Sequence, residues 1–342
     1  MSDLIKLRAG IRYNHDNGAE RNALNQLRGP DEVPIANIVA APAAASGLFA
    51  AYTPTLLLPG SAGYDSVNQT FSQDIHNTAV TGRVGIDFTP TKDSLIYANY
   101  SRGYRSSAFN AQFLFTFTDF TKVEPETLDS VELGFKTAWL DNRLQIDGAL
   151  FHYQYKNQQI INVYPTGQQP LINLPKSKID GGELEIVVRP VRDFTARVGL
   201  GFLNSKVQEG TLASAVSATN PSGDVSGQKL PNSPSVSANV SADWDVWRNS
   251  DIALRLHIDS SYAARQYLAL PQDDAISQDA YALVNARIAL HSPEEKWNFG
   301  IWGNNLSNKF FLTNAVNVQG FGFDYRHRGV PRTYGIDATY KF

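Results

Sequence analysis

The sequence predicts an all-β protein, an antiparallel transmembrane β-barrel. Three observations carry this: apolar and polar residues alternate in segment after segment, short turns alternate with long links, and the chain ends on an alternating strand with an aromatic last residue. Alternation comes first because side chains of a strand point to opposite faces with a period of two. In Ser235–Val246, Val236, Ala238, Val240, Ala242, Trp244 and Val246 fall on one face, and Ser237, Asn239, Ser241, Asp243 and Asp245 on the other. Ile252, Leu254, Leu256 and Ile258 then oppose Arg255, His257 and Asp259. The same holds for Leu7, Ala9, Ile11 and Tyr13 against Arg8 and Arg12, for Leu184, Ile186 and Val188 against Glu183 and Glu185, for Phe194 to Phe202 against Thr195 and Arg197, and for Val284 to Leu290 against Asn285 and Arg287. About twelve such strands begin near residues 4, 79, 94, 126, 143, 171, 194, 234, 252, 280, 297 and 331. No helical period of useful length competes with them.

The connections come second. Short polar turns are expected at Pro90–Asp93, Leu140–Arg143, Pro190–Asp193, Trp247–Ser250 and Pro293–Lys296. Between them lie long links at Asn17–Thr78, Ser107–Pro125, Glu209–Gly227 and Asn314–Pro331. Short turns at one rim and long loops at the other are the habit of outer-membrane barrels. The ends of strands come third. Trp139, Phe194, Trp244, Trp247 and Trp297 sit near strand termini, as in an interfacial girdle, and the last strand reads Tyr334, Ile336, Ala338, Tyr340, Phe342. A soluble β-sandwich alternates too, with its apolar face inward. Charges recurring on the polar face of strand after strand suit a wet lumen better.

Composition removes other classes. A formal net charge of −3 over 342 residues gives no basic excess for nucleic acid. The absence of cysteine excludes disulfides and thiolate metal sites. No apolar run is long enough for a transmembrane helix, and Met1–Leu7 lacks the character of a signal peptide. His15, His76, His152, His257, His291 and His327 show no metal-ligand spacing, so neither a metal nor another cofactor is expected. Glu183 and Glu185 share a strand face, but a glycosidase pair needs a set separation, and no nucleophile elbow or phosphate loop is present. Catalysis is not expected.

Four segments go beyond periodicity. Leu95–Asn110, LIYANYSRGYRSSAFN, resembles the Tyr-Ala-Ser-Tyr-Ser-Arg-Gly-Tyr-Arg strand of TonB-dependent outer-membrane receptors. Val123–Lys136, VEPETLDSVELGFK, resembles that family's Pro-Glu-Thr to Glu-Leu-Gly-X-Lys strand. Trp302–Phe310, WGNNLSNKF, is similar to its Asn-Leu-X-Asp/Asn-Lys motif, and Gly329–Phe342, GVPRTYGIDATYKF, to its closing Pro-Arg-X-X-Gly strand. The matches run in family order. The resemblance implies uptake of a scarce solute such as an iron chelate (siderophore), cobalamin or a sugar across the outer membrane of a Gram-negative cell. It also implies a plug domain in the lumen and energy from the TonB complex. Family barrels have about 22 strands, so residues 1–342 are expected to be the C-terminal portion of such a barrel. No plug domain is expected in them, the first strands are expected to be missing, and the sheet is expected to be open. Expected partners are outer-membrane lipid, the barrel-assembly machinery, a small-molecule solute, and the TonB complex only through the missing plug region. A passive porin-like channel and a surface β-sandwich adhesin are the alternatives.

The candidate site residues lie at the end of the family-like strand and in the long links. Arg102, Tyr104 and Arg105 end the family-like strand and either line the outer mouth or form a structural ladder. Phe321, Tyr325, Arg326 and Arg328, with Phe323 and His327, mix aromatics with cations in the last long link, a composition suited to an anionic chelate and also common on plain surfaces. Phe113, Phe115, Phe117 and Phe120 form either a stacking surface or part of a girdle. The resemblance implies that Tyr340 and Phe342 are the recognition end for barrel assembly.

Overall fold

The computed structural model describes residues 4–23, 64–65, 70–110, 122–164, 169–292, 294–318 and 322–342. Twelve strands build one continuous antiparallel sheet: β1 (Ile5–Ala23), β2 (Thr70–Thr91), β3 (Ser94–Arg105), β4 (Glu126–Trp139), β5 (Leu144–Ile161), β6 (Leu171–Val188), β7 (Phe194–Glu209), β8 (Val236–Arg248), β9 (Ala253–Ala263), β10 (Tyr281–His291), β11 (Trp297–Asn304) and β12 (Thr333–Tyr340). Each pairs with its neighbours in sequence, and no ladder joins β12 back to β1 among the described residues. The sheet is therefore one open layer, not two packed ones, as the alternation and the strand count led us to expect.

Register fixes which residues share a face. One row runs Leu7, Ile86, Ala98, Leu133, Leu150, Gly182, Phe202, Val236 across eight strands. Its neighbour one residue along runs Asp87, Tyr97, Gly134, Ala149, Glu183, Gly201, Ser237 on the opposite side. Leu7, Leu133, Leu150, Phe202, Val240, Trp244, Leu256, Ile258, Ile288, Ile301 and Ile336 are all exposed. In water so large an apolar surface would be a liability, whereas in lipid it is the required outer coat. On the other face a hollow of about 620 Å³ touches residues from Tyr97 on β3 to Asp259 on β9. Seven consecutive strands can line one hollow only if the sheet curls around it. The polar face is thus concave and the apolar face convex.

Local chemistry explains the short-turn rim. The Asn249 side chain accepts from the N–H of Asp251 and of Ile252, both at 2.8 Å, closing the β8–β9 turn. The Ser292 hydroxyl accepts from the Lys296 N–H at 2.8 Å in the β10–β11 turn. Leu140, Asp141 and Asn142 all take positive φ between β4 and β5 (54°, 54° and 65°), which Asn tolerates and Leu does not favour. Exposed Trp139, Trp244 and Trp247 collect at this rim.

Three sequence expectations change. The link placed at Asn17–Thr78 is partly strand: β1 runs to Ala23 and β2 begins at Thr70. The link at Asn314–Pro331 contains a hairpin, Leu312–Val318 against Phe323–Arg328. Val246 is left unpaired because a bulge between Asp245 and Trp247 lets Trp247, and not Val246, pair with Leu254. The long-loop rim also holds the two apolar clusters seen among the described residues. Leu174 and Val207 close over Leu212, Val225, Leu230 and Leu270, and Leu268 and Ile276 over Leu312 and Ala315. The long links are folded against one another there.

Candidate functional site: the concave face and the long-loop rim

The concave face is a ladder of charges. Arg197 donates to Asp243 at 2.9 Å, and His257 lies 2.8 Å from Asp243 and 3.3 Å from Asp259. Asn285 donates to Asp259 at 2.7 Å and accepts the Asn305 N–H at 2.8 Å. Closer to the short turns, Arg255 grips Asp245 through two donors at 2.7 and 3.2 Å and reaches Glu295 at 3.1 Å. Arg255 thereby holds the carboxyl of Glu295, in the turn, below its usual value. Arg287 donates to Asp337 at 3.1 and 2.6 Å, tying β10 across β11 to β12. At the other flank Arg8 on β1 bonds Asp87 on β2 at 2.5 Å and Asn99 on β3 at 3.3 Å. These pairs stitch adjacent strands together and leave a hydrated surface with both signs of charge. The hollow in its middle carries Asp147, Glu183, Glu185 and Asp259 against Lys136 and Arg197, an acidic balance.

A second hollow, of about 680 Å³, opens at the long-loop rim. Gln228, Tyr267, Gln272, Asp273, Asp274 and Asn317 line it, drawn from three different links. Gln272 donates its N–H to the Gln228 side chain at 2.8 Å, and Asn317 donates to Asp273 at 3.2 Å, so the links are held in one arrangement. Beside it Arg265 bonds Asp274 at 2.5 Å and lies over the Tyr267 ring at 5.4 Å. Nearby, the Asp224 carboxyl is held below its usual value by Ser226, whose N–H it accepts at 2.8 Å. Sequence reasoning missed this rim hollow. Its residues are scattered over some 150 positions, from Val163 to Asn317, without a period, and the only cue was the length of the links that carry them.

The predicted site residues fall in different places. Arg102 alternates with Ile96 and Ala98 onto the convex side. There it grips Asp129 in a bidentate pair at 2.7 and 2.8 Å, with the Tyr100 hydroxyl donating to the same carboxylate at 2.6 Å. Tyr104 lies two residues further on that side and is half-buried, while Arg105 takes the opposite, concave side. Of the three, Arg105 alone lies on the concave side; Arg102 is part of a cross-strand ladder. Tyr325, Arg326 and Arg328 are exposed on the Phe323–Arg328 strand of the hairpin, with Arg326 3.6 Å from Asp324. None of them lines the rim hollow, to which the hairpin contributes Asn317. Phe321, and Phe113, Phe115, Phe117 and Phe120, lie outside the described residues. Tyr340 and Phe342 meet edge to face at 5.2 Å, and both are exposed.

A family described as "TonB dependent receptor-like, beta-barrel" matches residues 3–306. This chain belongs to the TonB-dependent receptor β-barrel family. Its relatives include a probable TonB-dependent siderophore receptor PiuA of Acinetobacter baumannii, 25% identical over 173 residues, which are 49% of this chain and 22% of that protein. The ferric-pyoverdine M114 receptor PbuA of Pseudomonas sp. is 24% identical over 273 residues, 77% of this chain and 30% of that protein. The chain thus spans less than a third of the length of either. The ferric yersiniabactin uptake receptor FyuA of Yersinia pestis superposes with a TM-score of 0.64 at 19% identity, covering 80% of this chain and 39% of that one. The ferric-catecholate import receptor Fiu of E. coli K12 gives 0.61 at 17% identity, covering 98% and 42%. Such likeness at low identity shows the shared barrel fold. Members of this family are outer-membrane receptors and transporters, not enzymes.

Proposed function

We propose that this chain is the C-terminal portion of an outer-membrane receptor that takes up a scarce solute of the iron-chelate class. The observation that carries the reading is the pairing of a continuous apolar convex face with a charged, hydrated concave face on one sheet of this family. The long-loop rim faces the cell exterior and the short-turn rim the periplasm, as loop lengths require in such barrels. The rim hollow supplies a mouth of amides, carboxylates and one tyrosine, with the Tyr325, Arg326 and Arg328 hairpin beside it for anionic groups of a chelate. The concave ladder forms the wall along which a plug and the solute pass, and coupling to the TonB complex runs through that plug. The support for iron chelates is that relatives named as siderophore and ferric-pyoverdine receptors recur among those matched.

The test is uptake of radiolabelled iron presented as hydroxamate, catecholate or mixed chelates by iron-starved cells with and without the gene. Loss of uptake of one class on deletion, together with its loss when the proton-motive force is collapsed, is the expected result. Uptake that survives the collapse would favour a passive channel instead. Uptake indifferent to the deletion for every chelate would sink the iron reading.

A further inference from the structure

On the convex side the apolar rows end at Leu133, Leu150, Gly182 and Phe202. Toward the long-loop rim the next row on that side is Val131, His152, Asp180 and Asn204; then come Asp129, Gln154, Lys178 and Lys206; then Thr127, Lys156 and Lys176. Register sets Lys178 directly opposite Lys206, and Lys156 directly opposite Lys176. Like charges directly opposed across a ladder are destabilising, and here two such pairs sit side by side on one face. Neighbouring acids offset part of the charge. Lys178 lies 3.0 Å from Asp180 and Lys176 lies 3.6 Å from Glu209. Asp180 is shared with His152 at 2.6 Å, and Asp129 is taken by Arg102 at 2.7 Å. Lys156 and Lys206 are exposed, and among the described residues neither has a carboxylate within ion-pair distance.

Height decides what meets them. Lys206 lies four residues beyond Phe202, about 13 Å along a strand at ~3.3 Å per residue, and about 10 Å in height once barrel tilt is allowed for. Lysine stems reach back along apolar surface while keeping the ammonium in a polar layer. The four ammonium groups therefore crowd at the level where lipid headgroups begin, directly above exposed Leu133, Leu150 and Phe202. We infer that Lys156, Lys176, Lys178 and Lys206 form a binding site for the phosphates of an anionic outer-leaflet lipid, whose acyl chains lie on Leu133, Leu150 and Phe202. Phosphate relieves the lysine–lysine repulsion that the fold otherwise tolerates at a cost, and clustered lysines beside a bilayer favour anionic headgroups. The inference rests on the membrane reading above.

The test uses the complete protein in neutral detergent, titrated with lipid A or with phosphatidylcholine, with bound lipid counted by native mass spectrometry. Lipid A should be retained in preference to phosphatidylcholine. Lys156→Gln with Lys206→Gln should weaken that retention about ten-fold or more, while Arg197→Gln on the concave face leaves it unchanged. Glutamine keeps the stem and removes repulsion, so the double variant should fold. Equal retention by the double variant, or no preference for lipid A, overturns the inference. So does full displacement of lipid A by millimolar inorganic phosphate, which would make this a free-phosphate site. Failure of the protein to enter lipid vesicles would sink the membrane reading itself; entry into vesicles without lipid preference would sink only the lysine site.

Discussion

Two adjacent residues on β9 should respond in opposite ways to the same substitution. Ile258 lies on the convex side between Ala242 and Ala286, whose small side chains leave it 52% exposed. On β9 the apolar rows extend from Leu254 to Tyr262, so Ile258 is midway, about 13 Å along the strand from either limit. Arginine at mid-membrane on a lipid-facing strand costs ~2–4 kcal/mol, falling to ~0–1 kcal/mol near the interfaces. Ile258→Arg should therefore lower stability by about 3 kcal/mol. His257, one residue earlier, points to the concave side between Asp243 at 2.8 Å and Asp259 at 3.3 Å. His257→Arg puts a permanent cation between two carboxylates in a hydrated channel and should stay within about 0.5 kcal/mol of the parent. Denaturant titration of the protein folded into lipid vesicles reads the difference as a shift in midpoint at constant slope. Equal losses at the two positions, or a larger loss at His257, would refute the assignment of faces.

Other consequences follow from single contacts. The Asp245 side chain, only 6% exposed, accepts from both Arg255 and Arg248, so Asp245→Ala should cost about 1–3 kcal/mol by removing a shared, nearly buried acceptor and leaving Arg255 to Glu295 and Arg248 to Asp193 alone, measured by the same titration. A Cβ at Gly300 would land on the Arg287 guanidinium and push it from Asp337; Gly300→Ala should lower the midpoint slightly, and the loss should shrink in an Arg287→Ala background, which a double-mutant cycle would show. Leu140→Gly should stabilise by up to about 1 kcal/mol, because glycine removes the side chain from a positive φ, and an unchanged or lower midpoint would count against strain there. Deleting Phe342 should lower the amount of protein reaching the outer membrane, judged by immunoblot of outer-membrane fractions, if the exposed aromatic end is an assembly signal.

Most strand starts could be read from the sequence to within a residue or two. The reason is physical: within the membrane band each residue faces either lipid or water, so the chain must alternate. β2 shows the limit. It begins at Thr70, nine residues before the expected start, because Thr70–Thr78 stands beyond the apolar band, where strict alternation is no longer required. The last turns of β1, Asn17–Ala23, extend past their expected end for the same reason. The bulge at Asp245 was invisible in the same way, since Ser235–Val246 alternates without fault in the sequence. Only the demand that Trp247 meet Leu254, and that Asp245 stay with Arg255, inserts the extra residue.

The candidate site was the least legible part, and the clusters at the long-loop rim show why. Leu174 and Val207 are fully buried at strand ends, packed on Leu212, Val225, Leu230 and Leu270 from links that carry no period. Their burial follows from link meeting link, a long-range event that no local pattern encodes. The same packing places Gln228, Gln272 and Asn317 around one hollow. Arg102 illustrates the converse: its place in a family-like strand end left both a mouth and a structural ladder open to sequence reasoning, and only parity with Ala98 commits it to the convex side and to Asp129. In a barrel, parity tells which solvent a strand residue meets, while contact with a solute at the rim depends on how the links fold over the opening. Residues that choose the solute are therefore to be sought among the links around the hollow, and residues that choose the lipid among those, like Lys178 and Lys206, whose parity points outward where the apolar rows end.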